Sequence, residues 1–127
     1  MIQGTGIDII EIDRVKQAHK RWGDSFLKKV FTKKELDYSF EKRFPYQHLA
    51  ARFAAKEAVI KAFGNGWENF VSLNLIEVSN DKDGKPRIIL NGGFKKLYAK
   101  RNLNDIVVSM SHSKKFAVAN CILVKNE

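Results

Sequence analysis

Two short segments hold the residues best suited to chemistry. In Gly6-Ile7-Asp8-Ile9-Ile10-Glu11-Ile12 an aspartate interrupts an apolar run. In Arg52-Phe53-Ala54-Ala55-Lys56-Glu57-Ala58-Val59-Ile60-Lys61-Ala62-Phe63-Gly64, Glu57 and Lys61 stand one helical turn apart on an alanine-rich stretch. A carboxylate from a strand and a carboxylate from a helix can share one divalent cation. A lysine beside them can meet a phosphate. Together these residue types point to phosphoryl chemistry.

Each residue also has a plainer reading. Asp8 could be a turn or cap carboxylate bonded to nearby backbone N–H groups. Its apolar neighbours favour a cation ligand, because a half-buried carboxylate needs a partner. Glu57 and Lys61 match a common surface bridge, which contributes roughly 0.2–0.5 kcal/mol. Their place at the edge of an alanine face argues for a cation at Glu57 and a phosphate at Lys61. His112 could be a rim histidine bonded to backbone. The serines flanking it and the following Lys114-Lys115 instead suggest a phosphate contact. Capping and dipole complementarity account for Glu35 and leave Asp37 freer. The three histidines, His19, His48 and His112, have no zinc-like spacing. There is no Walker-type loop and no G-x-G-x-x-G. Gly64-Asn65-Gly66 ends a helix, so it makes no helix-dipole phosphate site, although Gly64 suits close approach by a ligand.

The elements that must position these groups follow from pattern. Residues 2–10 read as a strand with Ile7 and Ile9 on one side and Gly4, Gly6, Asp8 and Ile10 on the other. A short helix from about Asp13 to Trp22 carries Arg14, Lys16, Lys20 and Arg21, and Gly23 stops it. Thr32-Lys33-Lys34-Glu35 is a capping box, opening a helix that runs to about Lys42. Phe44-Pro45 breaks the chain before the main helix, 46–63. On that helix Ala51, Ala55, Ala58 and Ala62 form a narrow small face, suited to lying close on a sheet. Arg52 and Lys56 are expected to point elsewhere, toward water or a partner. Strands are expected at 73–78 and 87–90 around the turn Asn80-Asp81-Lys82-Asp83-Gly84. A helix over about 93–102 and strands at 106–112 and 116–124 complete the plan. The last pair places Val108, Met110 and His112 on one face and Ser109, Ser111 and Ser113 on the other. The class is α+β: a mainly antiparallel sheet packed against a long alanine-rich helix.

At 127 residues the chain is expected to form a single domain, residues 1–127. Hydrophobic residues make up 44% and charged residues 29%, an ordinary balance for a globular chain. No apolar stretch is long enough for a membrane span. No basic-then-apolar leader opens the chain, which argues against secretion. One cysteine, Cys121, cannot make an internal disulfide, so a reducing cytoplasm fits. The formal net charge of +9 is the unusual bulk feature, and it should attract polyanions.

The strings G-I-D-I-I-E-I-D-R at 6–14, F-T-K-K-E-L-D at 31–37 and R-F-A-A-K-E-A-V-I-K-A-F-G at 52–64 occur in order. With D-G-K-P at 83–86 and S-M-S-H-S-K-K-F-A-V-A at 109–119, they span nearly the whole chain. In this the chain resembles the holo-acyl-carrier-protein synthase family, the small trimeric class of 4′-phosphopantetheinyl transferases. Asn65 and Ser113 stand where that family often carries threonine. The resemblance implies transfer of 4′-phosphopantetheine from coenzyme A to a serine of an apo acyl carrier protein, with release of adenosine 3′,5′-bisphosphate.

The resemblance also assigns roles. It places Mg²⁺ on Asp8 and Glu57 and has Lys61 support the same developing charge or donate to the departing phosphate. The base would be a metal-bound water, or a carboxylate such as Asp37 acting through water. His112, Ser113, Lys85, Pro86, Arg52 and Gly64 would contact the nucleotide, in active sites between the subunits of a homotrimer. Arg14, Lys20 and Arg21, with Lys28 and Lys29, would dock an acidic carrier protein. A different class, a small basic nucleic-acid-binding module, would account for the charge and the nine phenylalanines. It leaves Asp8 and Glu57 unexplained, and no RNP-like, KH or zinc-finger pattern supports it. A carrier-binding pseudoenzyme is a third reading, opposed by the intact Asp8, Glu57 and Lys61.

Overall fold

Gly4 and Gly6 set the central contact of the molecule. In the computed structural model, which describes residues 1–64 and 72–126, the first strand β1 (Ile2–Glu11) lies directly on the long helix α4 (Pro45–Phe63). A Cβ on Gly6 would fall on the Ala58 carbonyl oxygen and 2.7 Å from the Ala62 nitrogen. A Cβ on Gly4 would fall on the Ala62 carbonyl. Glycines on the strand and alanines on the helix together allow this approach. The small face read from the sequence therefore has its purpose in β1.

Between them run α1 (Ile12–Trp22), α2 (Asp24–Val30) and α3 (Lys33–Phe40). Gly23 ends α1 with φ 64°, a conformation that favours glycine. The capping box opening α3 is present: the Thr32 hydroxyl accepts from the Glu35 N–H, and the Glu35 carboxylate accepts from the Thr32 N–H. Pro45 sits in the first turn of α4, where its missing N–H costs nothing. A 3₁₀ turn at Leu73–Leu75 leads into β2 (Ile76–Asn80) and β3 (Pro86–Leu90), followed by α5 (Gly92–Lys100), β4 (Asp105–His112) and β5 (Phe116–Val124).

The strands form two antiparallel sheets, one of order β1-β5-β4 and one of β2-β3. Asp8 pairs with Ala119 on β5, which pairs in turn with Met110 on β4. One face of the larger sheet, including Val108, Ala117, Ala119, Cys121 and Leu123, is buried. The opposite face exposes Ile7, Ile9, Val107 and Phe116. No helix among the described residues is long and apolar enough to cross a membrane.

The α+β class and the alternation of β1 and β4 match expectation. Two features correct it. Residues Leu73–Leu75 are a 3₁₀ turn, not the start of a strand, and α2 was not anticipated. The larger correction concerns Arg52 and Lys56. Both are buried, 2% and 0% exposed, and neither points to water. The Lys56 ammonium donates to the Glu35 carboxylate at 2.6 Å and to the carbonyls of Val30 at 2.7 Å and Leu73 at 3.1 Å. Glu35 also accepts from the Val78 N–H. Burial lowers the proton affinity of Lys56, and Glu35 opposes that shift. The charge is tolerated in the interior because every donor direction finds an acceptor.

Candidate active site

β1 forms one edge of the larger sheet and presents Asp8 toward α4. The Lys61 ammonium donates to the Asp8 carboxylate at 3.0 Å and to the Ile7 carbonyl at 3.0 Å. The Lys61 side chain is half exposed, whereas that of Asp8 is only 16% exposed. Glu57 completes the group from the preceding turn of α4. Its proton affinity is raised, first by partial burial and then by the negative charge of Asp8, with Lys61 opposing. Two carboxylates thus face each other closely enough to repel, beside one ammonium. The sequence placed Lys61 with Glu57; the structure pairs it across to the strand.

The chemistry of this donor set fits a hard divalent cation. Magnesium is commonly held by one or two carboxylates, with water and substrate phosphate filling the rest of its shell. Among the described residues no group of three or more His, Cys, Asp or Glu forms a cage. The edge position leaves the pair open to a ligand. Cys121 is no rival nucleophile, since burial pushes its thiol up to about 12.

A second group lies on the other side of α4. His112, at the end of β4, packs its ring 5.8 Å from that of His48, and His48 packs 5.9 Å from Tyr38 on α3. The Arg52 guanidinium covers the Tyr38 ring at 4.2 Å and donates to the Asn80 side-chain oxygen at 2.6 Å. Arg52 and His112 thus both border His48, with Arg52 in the interior. His48 and Tyr38 were missed in the sequence. The available signal was the spacing of His48 and Arg52, four apart and so on one helix face.

The two groups stand apart within one chain. His48 and Glu57 are nine residues apart, about 13 Å along the axis and about half a revolution around it. Asp8 lies on the β1 edge of the sheet and His112 on the β4 edge.

The other expected residues are dispersed. Lys85 and Pro86 close the β2-β3 hairpin, where Asp81 accepts from the Lys85 N–H at 2.9 Å. They line a groove of about 730 Å³ with Arg87, Tyr98 and Val107. The Ser113 hydroxyl accepts from the N–H groups of Lys115 and Phe116, so it shapes the β4-β5 turn. Gly64 ends α4 with φ 76°; Asn65 and Gly66 lie outside the described residues. Asp37 is not free, because it pairs with Lys33 one turn away at 2.9 Å on the exposed side of α3. Arg14, Lys20, Arg21 and Lys28 are all exposed, on α1 and α2.

Comparison with known proteins places the chain in a family. The family model of the 4′-phosphopantetheinyl transferase superfamily matches residues 4–121. The holo-[acyl-carrier-protein] synthase of Syntrophus aciditrophicus (strain SB) is 44% identical over 123 residues, 97% of this chain and 96% of that one. Its counterpart in Geotalea daltonii is 43% identical over 125 residues, 98% of this chain and 100% of that one. The crystal structure of holo-[acyl-carrier-protein] synthase from Neisseria meningitidis matches with a TM-score of 0.89 at 32% identity, covering 98% of this chain and 100% of that one. The Bacillus anthracis synthase, solved in complex with CoA (3′,5′-ADP), matches with a TM-score of 0.79 at 37% identity, covering 99% of each chain. Full-length likeness in sequence and fold shows that the chain belongs to the holo-[acyl-carrier-protein] synthase family of the 4′-phosphopantetheinyl transferase superfamily.

Proposed function

We propose that this enzyme transfers the 4′-phosphopantetheine group of coenzyme A to a serine of an acidic apo acyl carrier protein, as fatty acid synthesis requires. The observation that carries this reading is the pair Asp8 and Glu57, opposed at a sheet edge with Lys61 3.0 Å from Asp8. The serine oxygen forms a bond to the phosphorus that bears pantetheine. The bond from that phosphorus to the bridging oxygen breaks, and adenosine 3′,5′-bisphosphate leaves. Asp8 and Glu57 would hold Mg²⁺, and the chemistry it would supply when bound is neutralisation of the pyrophosphate charge. Lys61, held in place by the Ile7 carbonyl, donates to the departing phosphate. Two groups can take the serine proton: a water, or Asp37 acting through one.

The nucleotide is held by His112, Ser113, Lys85, Pro86 and Arg52, with Gly64 allowing close approach. These residues serve the Asp8 and Glu57 of a neighbouring subunit in a homotrimer. The separation of the two groups around α4 supports this, as does the apolar face of the sheet, where Ile7 and Ile9 are each 65% exposed. The carrier protein docks on Arg14, Lys20, Arg21 and Lys28 through its acidic surface, in the cytoplasm.

The test is incubation with coenzyme A, Mg²⁺ and an apo acyl carrier protein, followed by the intact mass of the carrier. Gain of one phosphopantetheine, lost on chelation, is expected. No gain with several apo carriers from a folded sample would overturn the reading and leave a basic binding module.

A further inference from the structure

His48 sits where positive charge accumulates without an acid to balance it. Tyr38 is the hub. Its ring carries the Arg52 guanidinium at 4.2 Å and the Lys42 ammonium at 4.5 Å, and it packs against His48. His112 closes the far side of His48 and is itself exposed, so the cluster opens to solvent. Arg52 has its Nε buried with no hydrogen-bond partner. An unpaired buried donor is costly, and a charged one more so. Burial lowers the proton affinity of Arg52, and the Tyr38 hydroxyl and then Glu35 oppose that shift. Glu35 is itself committed to Lys56, the Thr32 N–H and the Val78 N–H. The groups bearing on His48 are thus Arg52 on its own helix, His112 on β4, Lys42 beyond α3 and the Tyr38 ring on α3. No Asp or Glu is among them. An incoming anion is the complement this arrangement lacks.

We propose that His48 forms, with His112 and Arg52, a cradle for a phosphate group of the nucleotide, and that it takes up a proton when the phosphate settles there. The proposal rests on the reading of the chain as a coenzyme A-dependent transferase and adds to it a binding residue with a titration of its own. In the free protein, burial and then the charges of Arg52, His112 and Lys42 lower the proton affinity of His48, which keeps it neutral near pH 7. A phosphate dianion reverses the balance by favouring the charged ring. By linkage, binding draws in a proton, and coenzyme A affinity rises as the pH falls from about 8 toward 6. Below about pH 6 the phosphate monoester begins to protonate and the gain stops.

The test compares wild type with His48→Phe, which keeps a ring between Tyr38 and His112 and removes the titrating group. Calorimetry of coenzyme A binding in two buffers of different ionisation heat gives the protons taken up. Uptake near pH 7 is expected to fall by at least about half in the variant. The affinity gained between about pH 8 and 6.5 is expected to be at least about twofold smaller. If His48→Phe does not fold, His48→Gln serves. In the wild type, the His48 ring resonance titrates at higher pH when adenosine 3′,5′-bisphosphate is bound. Equal proton uptake in wild type and variant, with coenzyme A bound by both, overturns the role of His48 alone. A folded wild type that binds no coenzyme A overturns the broader reading as well.

Discussion

At the scale of single residues, Glu57 carries a conflict that a bound cation would resolve. It is partly buried and it faces Asp8, so its carboxyl holds a proton more tightly in the folded chain than in the unfolded one. Such a group destabilises the fold above its unfolded value, and the cost is relieved as pH falls through the raised folded value. Glu57→Gln removes the charge and keeps the shape. Without metal near pH 7 the variant should melt at or above the wild-type temperature. Mg²⁺ with coenzyme A should raise the melting temperature of the wild type and leave that of the variant much less changed. Transfer should be lost. A variant that melts lower without metal, or that responds to Mg²⁺ as the wild type does, would mean that the two carboxylates do not form one cation site.

At the scale of elements, the site depends on how closely β1 lies on α4. Gly6→Ala would push a methyl group into the Ala58 carbonyl. The strand must then lift, and Asp8 moves away from Lys61 and Glu57 with it. A loss of about 2 kcal/mol or more in urea unfolding is expected, with a fall in turnover that excess Mg²⁺ does not restore. Retained stability would show that the contact relaxes at no cost. The node of Lys56 and Glu35 ties the helices together by different means. Lys56→Met leaves Glu35 buried without its cation, at a cost of about 3–5 kcal/mol, read as a lower urea midpoint. An unchanged midpoint would mean that water reaches Glu35. Periodicity and punctuation made most of these elements legible in advance: the capping box at Thr32, the stop at Gly23, the alternation of β1. The glycines and alanines at 4, 6, 58 and 62 implied a close contact. What pattern could not show was inside and outside for charged side chains. Lys56 and Arg52 look like helix surface because their partners, Glu35, the Val30 carbonyl and Asn80, come from distant segments. The short helix α2 went unread because its seven residues hold fewer than two full turns of pattern.

At the scale of the whole molecule, surface charge and symmetry decide what the site can meet. Arg14 lies exposed on α1, ahead of Lys20 and Arg21, and on the proposed docking surface it would steer an acidic partner. Arg14→Glu should raise the KM for the carrier protein about five- to tenfold at low salt and leave that for coenzyme A unchanged, with the gap narrowing as salt screens the field. An unchanged carrier KM would move the docking surface elsewhere. The stronger claim is that one active site draws on two chains. Glu57 and His48 lie on opposite sides of α4, and Asp8 and His112 lie on the two edge strands of one sheet, so the two groups stand apart in a single chain. A closed ring of subunits can join them, by bringing the β4 edge of one copy to the β1 edge of the next. Glu57→Ala lacks one half of the site and His112→Ala the other. Co-expressed and randomly assorted in trimers, they should rebuild about one quarter of the sites with both halves intact. Transfer activity should then exceed that of either variant alone. The exposed apolar face supplies the control: adding Ile7→Glu to both variants should split the assembly into chains of 14.5 kDa by sedimentation and abolish the recovery. Absence of recovery in intact mixed trimers would place the whole site within one chain.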